Sequence, residues 1–100
     1  MYEQKILLGF IRVHILHHAA TDSQGIYGTA MREELKRHGY NISPGTLYPI
    51  FHEMMNNGLL TSKPIIVNGK QRKIYHATQK GRETLSILKQ SIKELSNEVF

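Results

Sequence analysis

The stretch Ser43-Pro44-Gly45-Thr46-Leu47-Tyr48-Pro49 gathers three hydroxyls around a glycine and two prolines within seven residues. Hydroxyls on the leading turn of a helix can bond phosphate oxygens or base edges, and the free N–H groups of that turn favour an anion. Ser43 is a natural cap, and Pro44 suits the first helical position, where its missing N–H costs nothing. Leu47, Ile50, Phe51 and Met54 follow at helical spacing as a buried stripe, and Asn57-Gly58 closes the helix. With Leu47 centred on that stripe and about 100° per residue, Gly45, Pro49 and His52 fall opposite it, flanked by Thr46 and Tyr48. Ser43, Pro44, Gly45, Thr46, Tyr48, Pro49 and His52 are therefore the candidate contact residues of this element.

A second group sits at Lys70, Arg72 and Lys73, beside Asn68-Gly69. Asn-Gly between two strand-like runs, Leu60 to Val67 and Lys70 to Ala77, signals a β-hairpin, and Pro64 marks its strand as an edge. Residues 59–82 hold Lys63, Lys70, Arg72, Lys73, Lys80 and Arg82 without a single acid, so this segment supplies the whole net charge of +5. Concentrated positive charge on a small chain is the footprint of a polyanion binder. A capped helix with hydroxyls on its first turn, followed by a cationic hairpin, points to double-stranded DNA as the partner. The same elements can instead serve a protein-contact module whose basic wing meets an acidic partner.

The positioning elements follow from periodicity. Tyr2 to about Ala19 reads as a helix with apolar residues on more than one face, which asks for cover on two sides. Gly28 to His38 is a second helix, with Met31 and Leu35 turned inward and Gly39 beyond its end. Thr78 can cap a last helix from about Gln79 to Glu98. Along it Leu85, Leu88, Ile92, Leu95 and Val99 step by three and four, the spacing of a helix that packs lengthwise on another. The fold class is thus mainly α with a small β-hairpin: a winged helix-turn-helix over residues 1–78 and a C-terminal dimerisation helix over 79–100. The expected interface residues are Ile6, Leu7 and Phe10 on the first helix and Leu85, Leu88, Ile92, Leu95 and Val99 on the last.

With 100 residues the chain is sized for one domain with a modest core, so a second copy is an obvious source of further burial. The apolar run Ile6–Ile11, stopped by Arg12, is too short for a signal-peptide core or a bilayer span, so a cytoplasmic location with no membrane partner is expected. Absence of cysteine removes disulfides, zinc-thiolate sites and thiol catalysis. No paired carboxylates, activated nucleophile or phosphate loop stands out, so no enzyme activity and no cofactor are expected. His14 and His18 lie one helical turn apart beside His17, a spacing that permits a metal. No carboxylate or cysteine nearby in sequence completes a set, and packing or a polar rim is the expected role, with no metal assigned. A pH switch at a dimer seam is the other use these residues allow.

Over residues 5 to 95 the chain resembles the PadR family of bacterial winged-helix transcriptional regulators. The likeness is carried by Tyr27-Gly28, by SPGTLYPIFHEMMNNGLL from Ser43 to Leu60, and by GKQRKIYHATQKG from Gly69 to Gly81. It implies a homodimer that binds an inverted-repeat operator and represses, with the fourth helix of one subunit packed on the first helix of the other. It places Ser43, Pro44, Gly45, Thr46 and Tyr48 in the family's recognition-helix motif and Lys70, Arg72 and Lys73 in its basic wing. The short C-terminal part is similar to the compact branch of the family. Two positions depart from it: Thr29 stands where many members have tyrosine after the glycine, and there is no tryptophan of the kind some compact members use for flat aromatic drugs. A drug-sensor role is therefore not carried over, and no small-molecule inducer is specified.

Overall fold

A computed structural model describes residues 1–100 and orders them as α1 (Tyr2–Thr21), β1 (Ile26–Tyr27), α2 (Gly28–Arg37), α3 (Pro44–Asn56), β2 (Leu60–Val67), β3 (Lys70–Ala77) and α4 (Gln79–Val99). The hairpin is joined by a further strand, making a three-stranded antiparallel sheet in the order β1-β3-β2. That added strand, β1, is only two residues long, and it pairs Ile26 with Tyr75 and Tyr27 with Ile74. β2 is an edge, as Pro64 requires. Asn68 and Gly69 both take positive φ, 52° and 76°, which is the two-residue turn that matches strand twist.

One apolar cluster holds the body together. Ile11, Ile15, Leu16 and Ala19 of α1, Met31 and Leu35 of α2, and Leu47, Ile50, Phe51 and Met54 of α3 are all buried in it. Burying a Leu, Ile or Phe side chain stabilises by about 1.5–3 kcal/mol, so these stripes fix the three helices relative to one another. Phe51 stacks on Tyr75 of β3 with ring centroids 4.2 Å apart and planes at 23°. That contact joins α3 to the wing. Pro49 stands inside α3 without ending it, because only the bond to the first turn is lost.

Polar contacts set the ends of the elements. Arg32 Nε donates to the Ile42 carbonyl at 3.0 Å and braces the loop that leads into α3. Thr78 caps α4 through its hydroxyl, which accepts from the Gly81 N–H at 3.0 Å. The first half of α4 belongs to the body, since Gly81 and Leu85 are buried there. Every residue from Lys89 to Phe100 is exposed, and this projecting arm helps make the molecule 49 × 31 × 22 Å.

Candidate nucleic-acid interface

Ser43, Pro44, Gly45, Thr46, Tyr48, Pro49 and His52 are all exposed, while Leu47, Ile50 and Phe51 between them are buried. The amphipathic pattern thus turns the expected face outward. Ser43 has the extended backbone of an N-cap, but its side chain does not cap the helix. Its Oγ instead faces Thr46 Oγ1 at 3.3 Å, and with Pro44 lacking an N–H and Thr46 N–H donating to the Ser43 carbonyl at 3.1 Å, the Gly45 N–H is the one left free on this turn. A Cβ on Gly45 would meet nothing closer than Ser43 Oγ at 3.8 Å, so the glycine keeps the outer surface flat rather than relieving an internal clash.

Tyr48 is held over the start of α2. A methyl built on Gly28 would lie 2.8 Å from the Tyr48 hydroxyl, so the ring can rest there only because residue 28 has no side chain. Edge-to-face contact with Phe51 at 5.7 Å supports the ring from below. A hollow of about 310 Å³ opens between α3 and the wing, lined by Tyr48 and His52 on one side and Arg72 and Lys73 on the other. Tyr27, Thr29 and Gln71 also line it; periodicity did not single them out, because the short β1 and the start of α2 carry no pattern of their own. Tyr75 also borders it, though buried; burial, and then the neighbouring Tyr48, raise its phenol above the ordinary value. Lys70 lies outside this hollow, exposed at the turn.

The cationic segment divides in space. Lys63, Lys70, Arg72 and Lys73 lie on the hairpin, all four exposed. Lys80 instead donates to the Asn57 carbonyl at 2.8 Å, and Arg82 to the Ala20 carbonyl at 2.8 Å. These two cations satisfy carbonyls at the C-terminal ends of α3 and α1, where the helix dipole favours positive charge. The positive charge of the wing therefore rests on the hairpin residues alone.

The expected interface residues also divide. Ile6 and Phe10 of α1 and Ile92, Leu95 and Val99 of α4 are 46–63% exposed and line an open apolar groove of about 980 Å³. Leu85 lies in the floor of that groove but is already buried in its own chain, and Leu88 is partly buried against the same core. Leu7 faces a different hollow, beside Ser43 and Thr46. Helical spacing alone could not separate these, because three-and-four steps serve an internal face and an external one alike.

Three helices, the second and third joined by a short turn, with a β-wing against the third, define a winged helix-turn-helix protein. The chain belongs to the PadR-like family of transcriptional regulators, whose family model matches residues 15–87. It is 45% identical over 90 residues to transcriptional regulator Rv3488 of Mycobacterium tuberculosis, covering 90% of this chain and 82% of that one. A PadR-like transcriptional regulator from Bacillus cereus superposes with a TM-score of 0.85 at 31% identity, over 95% of this chain and 92% of the other. Bacillus subtilis PadR, solved in complex with operator DNA, shares the fold at a TM-score of 0.69 and 17% identity, over 79% of this chain and 47% of that one.

Proposed function

We propose that the protein is a homodimeric, sequence-specific DNA-binding repressor that recognises an inverted-repeat operator. Residues 1–78 form the DNA-binding body, and residues 79–100 form the helix that packs on α1 of the partner. Each subunit seats α3 in a major groove, with half-sites about 10 bp apart or a small multiple of that. Ser43, Gly45 and Thr46 meet the duplex at the leading turn, Tyr48 and His52 lie farther along, and Lys70, Arg72 and Lys73 hold the flanking backbone.

The observation that carries this reading is the single surface shared by the two elements: Tyr48 and His52 face Arg72 and Lys73 across one hollow. The hydroxyl and imidazole groups there suit phosphate and base edges, and the adjacent cations supply the salt-dependent attraction. The fold shared with a PadR protein bound to operator DNA supports the same placement. The uncovered groove along α1 and α4 supports the dimer, since apolar surface of this extent is stabilised by burial.

Retardation of genomic fragments by the purified protein tests the reading, with the salt dependence as its quantitative arm. Replacing Lys70, Arg72 and Lys73 together by Ala should flatten the log–log salt slope by roughly one unit for each phosphate that is no longer neutralised. Failure to retard any fragment in dilute buffer rejects DNA binding, and an unchanged slope removes the wing from the backbone.

A further inference from the structure

Away from the recognition surface, α1 and the end of α2 bring three imidazoles together. His14 and His18 stand one turn apart on α1, and His38 is the residue that ends α2. One ring nitrogen from each lies within 4.8 Å of the others. The His14 and His38 rings stack at 4.8 Å between centroids, and Tyr40 closes one side, edge-on to His14 at 5.3 Å. Glu34 lies one turn before His38. Its Oε1 is 3.3 Å from His38 Nε2 and 3.8 Å from His18 Nε2, while Arg37 holds its other oxygen.

We propose that His14, His18 and His38, with Glu34 as the fourth donor, form a binding site for a divalent transition-metal ion of the zinc, cobalt or nickel class. Three imidazole nitrogens and one carboxylate oxygen make a four-coordinate N/O set, which suits these ions and disfavours calcium or magnesium, whose sites are built from oxygen. Zinc–nitrogen bonds of about 2.0–2.1 Å place tetrahedral donors roughly 3.4 Å apart, so the nitrogens must close in by somewhat over an ångström. His38 is exposed at a helix end and can turn its ring to do so. Burial, together with the nearby imidazoles, depresses protonation of His14 and His18, and the unprotonated ring is the form that ligates.

Packing alone does not account for the stacked rings. Glu34 directs a carboxylate oxygen at two of the three rings, and the rings come from two elements rather than one turn. An ion held here ties α1, on which His14 also borders the apolar groove, to α2, which precedes the recognition helix. The site goes beyond the DNA-binding reading and stands or falls without it.

Titration of metal-free, untagged protein with cobalt(II) tests it directly. The expected result is a visible absorption band of tetrahedral cobalt that saturates at one ion per chain and is displaced by zinc. His38→Ala, an exposed position outside the core, should weaken binding by at least about 100-fold, and Glu34→Gln by about 10-fold. His17→Ala, whose ring lies outside the trio, should bind cobalt like the wild type. Absence of stoichiometric binding, or equal affinity in His38→Ala, overturns the proposal. Circular dichroism of each variant confirms the fold, so neither result can be ascribed to unfolding.

Discussion

The leading turn of α3 and the outer half of α4 are both exposed, but water treats them differently. Ser43, Thr46, Tyr48 and His52 offer hydroxyl and imidazole groups that hydrate well, so that surface is stable while it waits for a ligand. Ile92, Leu95 and Val99, facing Ile6 and Phe10, offer hydrocarbon. Removing such surface from water is worth about 25 cal/mol per Å², and nothing in the single chain does so. On the proposed reading one region is complete within a single subunit and acts through polar groups, whereas the other is half of a core. The contrast teaches that the apolar groove, rather than the polar face of α3, is the surface that gains most from a second copy.

The largest expected effect comes from spoiling the seam alone. Ile92→Asp combined with Leu95→Asp changes two positions that are exposed in the single chain, so the body should fold as before. In a dimer the same change puts carboxylates into an apolar interface, at a cost of several kcal/mol. Sedimentation should then show a monomer. Operator affinity should fall by at least about 100-fold, because the two half-sites no longer bind as one unit. A dimer that persists relocates the interface, and full operator affinity in a monomer breaks the contrast itself.

What was legible in the sequence follows the same division. The α3 stripe, the Asn68-Gly69 hairpin and the Thr78 cap are local, written in helical spacing, turn chemistry and a single hydroxyl, and the structure holds them where the pattern puts them. β1 was not legible: Ile26 and Tyr27 form a strand only because β3 lies alongside. The charge of residues 59–82 was legible as a total but not as a place, since Lys80 and Arg82 turn to helix carbonyls that only the fold brings near. The spacing of α4 is continuous from Leu85 to Val99, yet Leu85 faces inward and Val99 faces solvent. His14 and His18 announced a pair, but His38 comes from another helix and reaches them only through packing.

A change at the recognition end should act on affinity and leave assembly alone. Gly28→Ala places a methyl within 2.9 Å of the Tyr48 ring and hydroxyl. The body can relieve that overlap by swinging the exposed tyrosine outward, which removes its hydroxyl from the surface shared with the wing. Loss of one net hydrogen bond of about 1 kcal/mol corresponds to an operator affinity weaker by roughly fivefold per subunit. Fluorescence anisotropy on labelled operator measures this, and sedimentation should show the dimer intact. Unaltered affinity removes Tyr48 from the operator surface.

The smallest effect belongs to an ion pair that joins α1, one wall of the apolar groove, to the far end of α3. Arg12 of α1 donates through Nε to Glu53 of α3 at 2.8 Å, and through Nη1 to the Leu8 carbonyl of its own helix at 3.0 Å. The Arg12 hydrogen bond, reinforced by its charge, holds the Glu53 carboxyl below the usual carboxylate range. A depressed folded-state value means the pair stabilises fully above the ordinary carboxyl pKa and loses that contribution as pH falls through the lowered value. Arg12→Ala should therefore lower the Tm only slightly at pH 7, by no more than about 4 °C, because the pair is exposed and screened by salt. The difference from wild type should shrink in high salt and close as pH falls below the lowered Glu53 value, where the carboxyl is protonated in both proteins. Calorimetry across that pH range checks the sign, and a gap that widens on acidification shows that Arg12 acts through something other than Glu53. Operator affinity measured at neutral pH should not change, since Arg12 lies outside the surface shared by α3 and the wing; a change of about tenfold or more means that the seam and the recognition end are coupled through this pair.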